Sequence, residues 1–135
     1  MARRKSRGHR RLQQVRRRAW PTQRRVALLL MRQFDVFENP SDRTRTAIPL
    51  LLIVQHDRAS ETASVVVAGL APLAKGKAMA KSRLYPVVRI ASKDYVLLTP
   101  NMAAIPRTQL EKRVANVDSE DRRIIDAIDM LFTGV

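Results

Sequence analysis

The distribution of charge divides this chain into two pieces, and it limits folding more than any other feature of the sequence. Residues 1–30 contain 11 lysines and arginines and no acidic residue. Residues 31–135 contain the other 15 basic residues (26 − 11) and all 12 acidic ones, so their net charge is +3. Like charges at the density of the first piece repel one another and oppose a compact core. The sequence therefore predicts one folded domain, formed by residues 31–135.

The basic piece, residues 1–30, allows three interpretations. It is a misannotated N-terminal extension, with Met31 as the natural start, or a disordered tail that binds nucleic-acid phosphates. An arginine-rich stretch without acids also occurs in targeting peptides. The sequence favours the misplaced start, because the acidic residues and the apolar periodicity begin only after it.

Composition also limits the chemistry of the chain. There is no cysteine, which excludes disulfides and thiolate metal sites and suits the cytoplasm. The longest apolar run, residues 47–54, contains a proline and is too short to cross a bilayer. The two histidines, His9 and His56, are not spaced to chelate a metal. We expect no cofactor, no metal and no membrane contact.

Residues 31–135 predict a mostly β domain that is closed by one C-terminal α-helix. Short apolar or β-branched segments alternate with turns, as in small antiparallel barrels and sandwiches. Strands are expected at residues 33–37, 47–55, 64–68, 84–90, 95–99 and 110–117, and a loop is expected at residues 99–104.

The C-terminal segment has the periodicity of a helix. Asp118 is the expected N-cap, with acidic residues in the first turn. Apolar residues then recur at helical spacing and define one face that is expected to pack on the core. These residues are Ile124, Ile128, Leu131 and Phe132.

Catalytic constellations are hard to assemble from these residues. His56 and Asp57 are adjacent and resemble a base with its orienting acid, but we interpret them as solvated loop residues. The acidic cluster at residues 118–121 is explained by the start of the helix. With four glycines in total, the chain has no phosphate-binding loop. The residues by themselves therefore give no recognisable catalytic set.

Several motifs in the second half of the domain, taken in their order, resemble the CcdB toxins. They read LYPVVRI at residues 84–90, LT at 98–99, MAAIP at 102–106, VANV at 114–117, AID at 127–129 and FTGV at 132–135. In the first half, QFDVF at residues 33–37 and VQHD at 54–57 are similar to the first strand and a Val-Gln-Ser-Asp segment of that family. The resemblance covers Met31–Val135 and leaves residues 1–30 without a counterpart.

The resemblance implies a fold and a function. The fold is a small twisted antiparallel barrel, like the Src-homology-three barrel, that works as a homodimer. The function is that of a toxin in a plasmid-maintenance toxin–antitoxin system, which binds the DNA gyrase A subunit and traps gyrase on cleaved DNA. A CcdA-type antitoxin neutralises it. DNA is contacted only indirectly, through gyrase or through the antitoxin in transcriptional repression.

By carry-over, the surface that binds gyrase is the end of the closing helix with a loop beside it. Its residues are Asp129, Phe132, Thr133, Gly134 and Val135, with His56, Asp57, Arg58 and Ala59 in the loop. The negative end of the helix and the Val135 α-carboxylate suit an arginine on the partner. Two features depart from the family pattern. Thr133 stands where tryptophan is frequent, and Arg58 and Ala59 stand where apolar residues are familiar.

Three other functions stay open on the sequence alone. One is an RNA-cleaving toxin of a related barrel family. Another is nucleic-acid binding driven by residues 1–30. The third is a folded but inactive relic of a toxin.

Overall fold

The computed structural model describes residues 31–59 and 61–135. Residues Arg32–Val135 form one compact unit. The interpretations of residues 1–30 as a tail or as a misannotated extension lie outside the described residues.

The described residues form six strands and two helices. The strands are β1 (Asp35–Glu38), β2 (Leu50–Ile53), β3 (Ser64–Pro72), β4 (Val87–Ile90), β5 (Lys93–Pro106) and β6 (Arg113–Asn116). The helices are α1 (Leu73–Gly76) and α2 (Asp121–Thr133). Single turns of 3-10 helix lie at Asp57–Ala59, Met79–Lys81, Arg107–Gln109 and Asp118–Glu120.

All six strands belong to one antiparallel sheet in the order β4-β5-β3-β2-β1-β6. The sheet curls into a nearly closed barrel, and α2 follows the last strand. The predicted class, mostly β with a C-terminal helix, is confirmed. The homodimer implied by the resemblance stays a prediction.

The longest strand, β5, includes the segment that was predicted to be a loop. The prediction of a loop at residues 99–104 was wrong, because β5 runs through it as far as Pro106. The register against β3 shifts there: Ala68 pairs with Met102, and Gly69 pairs with Leu98. Residues 99–101 therefore form a bulge. Pro100 lies within it, at a position where a proline does not disrupt the ladder of hydrogen bonds.

Gly69, opposite this bulge, allows a close approach of the chain. A Cβ atom at this position would lie 2.7 Å from Cγ2 of Ile48. A larger residue would push Ile48 away or distort β3, so the close packing of Ile48 on β3 depends on the glycine.

The turn between β4 and β5 is tighter than predicted. The strands expected at residues 84–90 and 95–99 do pair, but β5 already begins at Lys93, paired with Ile90. The two turn residues, Ala91 and Ser92, have φ angles of 51° and 69°. Two left-handed residues in a row match the twist of antiparallel strands, which explains the two-residue connection.

The helix begins two residues later than the sequence suggested, with Glu120 in place of Asp118 at its N-cap position. Asp118 was expected to cap it, but Asp118 starts the 3-10 turn that precedes α2, and its N–H donates to Oδ1 of Asn116 at 2.9 Å. α2 then begins at Asp121, with no side-chain cap. Ile124 on α2 is completely buried and joins the core cluster with residues of the sheet. This contact fixes α2 against the barrel.

Candidate partner-binding surface

The apolar face of α2 is narrower than the sequence pattern predicted. Ile124 and Ala127 are buried, and Ile128 packs against the core while it is partly exposed. Phe132, predicted on the same face, is 69% exposed, so that prediction was wrong for this residue. Each helical residue advances by roughly 100°, so Phe132 lies about 80° from Ile124, beyond the buried stripe.

The end of α2 turns sharply at Gly134. This residue has a φ of 77°, in the left-handed region, and its N–H donates to the main-chain oxygen of Met130 at 3.0 Å. Glycine is the usual residue at such a helix end, because it has no Cβ to clash there. The helix therefore ends in a defined turn, and the chain leaves it at a fixed angle.

Thr133 secures the same turn with its side chain. Its hydroxyl donates to the main-chain oxygen of Asp129 at 2.7 Å, and it accepts a longer bond, 3.4 Å, from the N–H of Val135. The Val135 side chain itself is 80% exposed. Phe132 and Val135 thus present apolar surface on a turn that local hydrogen bonds hold in place.

An arginine that the sequence reasoning missed contacts this turn. Nη2 of Arg83 donates to the main-chain oxygen of Val135 at 2.6 Å. Arg83 also lines a cleft between the segment before β4 and α2, together with Arg123 and Asp126. No sequence signal pointed to the contact, because 52 residues separate Arg83 from Val135.

The loop at His56–Ala59 is exposed, contains the 3-10 turn Asp57–Ala59 and has its own hydrogen bonds. Nδ1 of His56 accepts from the N–H of Arg58 at 3.0 Å. Oδ1 of Asp57 accepts from the N–H of Gln33 at 2.7 Å. His56 and Asp57 are therefore engaged with different partners and do not form a base and acid pair.

The loop is anchored near the start of β1. An ion pair of 3.6 Å joins Arg32 to Asp57, and Nε2 of Gln55 donates to the main-chain oxygen of Ala59 at 2.6 Å. In the described part of the chain, no hydrogen bond or ion pair connects the loop with residues 129–135. That the loop and the helix end form one binding surface stays a prediction.

A buried carboxylate holds the two strands β1 and β6 together. Asp35 is 1% exposed. Its oxygens accept from the N–H of Arg32 at 2.9 Å, from Nη1 of Arg113 at 3.2 Å and from Nδ2 of Asn116 at 2.9 Å. Four hydrogen-bonding groups thus meet inside the barrel wall. We assign this cluster to the stability of the fold, because both oxygens of the Asp35 carboxylate already accept hydrogen bonds within the domain.

Neither a metal centre nor a membrane-spanning helix is found among residues 31–59 and 61–135. These residues contain no group of three or more side chains of the metal-binding types placed to hold an ion. None of their helices is long and apolar enough to cross a bilayer.

The chain was compared with models of known protein families. The model described as CcdB protein matches residues 33–134, which is more than half of the chain. The matched range contains the loop at residues 56–59 and all of α2.

Proposed function

Because the chain belongs to the CcdB family, whose members are toxins of toxin–antitoxin systems and in general poison gyrase, we propose that it binds the DNA gyrase A subunit. Binding occurs while gyrase holds cleaved DNA and blocks resealing. The toxin acts by occupying a surface, and the bond-breaking chemistry is that of gyrase.

The exposed aromatic ring at the end of α2 is the observation that carries this proposal. Phe132 is 69% exposed on a helix that Ile124 and Ile128 fix against the core. A large apolar side chain costs free energy when it faces water, and rigid aromatic anchors dominate the energetics of many interfaces. Phe132 is therefore the anchor of the proposed surface.

The electrostatics of the helix end favour a basic partner. The last carbonyl groups of a helix carry a partial negative charge. Asp129 is exposed one turn before the end and adds a full one. An arginine or lysine on gyrase would complement both charges, and salt would weaken this attraction because both groups are exposed.

Thr133 makes the proposed contact weaker than in relatives that have tryptophan at the matching position. A cation–π contact contributes about 0.5–2 kcal/mol. Its absence corresponds to roughly a 2- to 30-fold loss of affinity. The proposed toxin therefore depends more on Phe132 and on the backbone of the turn.

The loop His56–Ala59 is the second proposed contact. All four residues are exposed, so none of them is needed inside the domain. Arg58 and Asp57 give the loop a mixed charge, which suits hydrogen bonding at the rim of an interface. This loop would adjust affinity and specificity around the anchor at Phe132.

Partners and assembly follow from the same proposal. We propose a homodimer, a CcdA-type antitoxin and action in the cytoplasm, where gyrase works. Contact with DNA is indirect in this scheme, through gyrase or through the antitoxin.

Controlled expression in a host with a matched gyrase and no antitoxin tests the function. We expect growth arrest with accumulation of gyrase-cleaved DNA and with intact total RNA. Removing residues Thr133–Val135 should abolish the arrest and leave the fold in place, whereas Ile128→Asp should unfold the protein by placing a charge against the core. RNA fragmentation with normal gyrase activity would favour an RNA-cleaving toxin. Absence of arrest would indicate an inactive relic.

A further inference from the structure

The segment that carries Arg83 is ordered before the side chain reaches the helix end. Ser82 closes the 3-10 turn with its N–H on the main-chain oxygen of Met79 at 3.0 Å. The N–H of Leu84 donates to Oγ of Ser82 at 3.1 Å, and the N–H of Tyr85 donates to the main-chain oxygen of Ser82 at 3.0 Å. Arg83 therefore starts from a backbone with little freedom.

From this backbone the guanidinium group of Arg83 reaches the turn that follows α2, at Val135. It donates to Val135 and leaves the Phe132 ring uncovered. Among the described residues, the other side-chain hydrogen bond at Val135 is the 3.4 Å contact of its N–H with the Thr133 hydroxyl. The contact with Arg83 is thus the shorter of the two side-chain bonds that define the path of the chain after Gly134.

Ordering a flexible terminus in advance favours binding. Each residue that becomes fixed on association loses conformational entropy, and this loss reduces the affinity. A turn that is already fixed in the free protein avoids this loss. The benefit applies only if the conformation fixed by Arg83 is also the bound one.

We propose that Arg83 is a positioning residue for partner recognition, which holds residues Thr133–Val135 in the conformation that the partner binds. The proposal rests on the proposed function, because it assigns Arg83 to the surface at the end of α2. Arg83 acts through Val135 and is not itself the anchor.

The opposite effect would follow if Arg83 competed with the partner. The helix end suits a basic group, and Arg83 already provides one. If the partner needed the Val135 oxygen for itself, removing Arg83 would raise the affinity. Whether removing Arg83 lowers or raises the affinity for the partner therefore separates positioning from competition.

The experiment compares Arg83→Ala with Lys81→Ala in the full chain. Both variants remove one exposed positive charge from the same segment, but only the first removes the bond to Val135. Backbone order at Gly134 and Val135 is measured by the ¹⁵N heteronuclear NOE of the free proteins. Affinity is measured by titration with the purified gyrase A subunit.

We expect Arg83→Ala to lower the NOE at both residues and to weaken gyrase binding by roughly 3- to 10-fold. Lys81→Ala should leave the NOE unchanged and alter affinity much less. The thermal midpoint of both should stay close to that of the parent protein, because exposed pairs contribute little to stability.

Other outcomes overturn the proposal in distinct ways. An unchanged NOE in Arg83→Ala would show that Arg83 does not order the turn. Loss of order with equal or higher affinity would show that the held conformation is not the bound one. If the parent protein does not bind gyrase A at all, the proposed function fails, and the NOE alone still decides whether Arg83 orders Val135.

Discussion

Ile124 and Phe132 lie eight residues apart on α2, yet Ile124 is completely buried while Phe132 is 69% exposed. The same helix therefore supplies the domain with a core residue and presents an apolar ring to solvent. The fold depends on Ile124, whereas the proposed gyrase binding uses Phe132, so single substitutions on one helix can test the two separately.

Substitution of these two residues should separate stability from binding. Phe132→Ala should change the free energy of unfolding by less than about 0.5 kcal/mol, because most of the ring is already exposed. It should weaken gyrase binding by about 2 kcal/mol or more, as expected of an anchor. Ile124→Ala should destabilise the fold by about 2–5 kcal/mol. Urea unfolding and gyrase titration measure the two effects, and strong destabilisation by Phe132→Ala would contradict the assignment.

Thr133→Trp should strengthen gyrase binding. The indole can stack on a partner arginine and supply the contact of about 0.5–2 kcal/mol that threonine lacks. Loss of the hydroxyl bond to Asp129 offsets part of this gain. Thr133→Val, which keeps the shape and removes the hydroxyl bonds to Asp129 and Val135, serves as the control. Affinity at or below that of Thr133→Val would argue against an arginine in stacking distance.

Gly134→Ala should disturb the last turn without any steric clash. A Cβ atom at Gly134 would have no neighbour within 4 Å, but φ there is +77°. The left-handed conformation costs an L-residue about 1–2 kcal/mol, so the turn should fray and gyrase binding should weaken. Circular dichroism and the titration would show this. Full affinity in this variant would mean that the turn geometry does not matter for binding.

Asp35→Asn should destabilise the barrel. The amide keeps one acceptor oxygen and directs an N–H₂ group at one of the donors, Asn116 or Arg113. A buried donor left without its acceptor costs roughly 1–3 kcal/mol. Asp42→Asn is the matched control, since Asp42 pairs with Arg45 on the surface and such pairs contribute at most about 1 kcal/mol. Equal effects in thermal melts would refute the structural assignment of Asp35.

Residues 1–30 should account for any sequence-independent DNA binding. The full chain has a net charge of +14, of which residues 31–135 contribute only +3. Affinity for duplex DNA should fall steeply with salt in the full chain and be weak in a version that starts at Met31. Filter binding at two salt concentrations measures this. Comparable affinity of both versions would rule out residues 1–30 as a nucleic-acid arm.

By itself, the sequence determined the class of the fold and the place of its helix. Short apolar or β-branched segments between turns are a local signal, so β1, β2 and β4 were found within a few residues of their observed bounds. The continuation of β5 through Pro100 was missed, because a bulge is defined by the register of β5 against its partner strand β3. Motif order was sufficient for the family, since it too can be read along the chain.

The tertiary structure alone decided which residues of α2 face solvent and what holds its end. Helical periodicity shows that Ile124 and Phe132 lie near one side, but the width of the stripe that the sheet covers is set by packing. The bond from Arg83 to Val135 joins residues 52 positions apart. No local sequence pattern predicts this contact. It exists only once the barrel has brought the segment before β4 beside the end of α2.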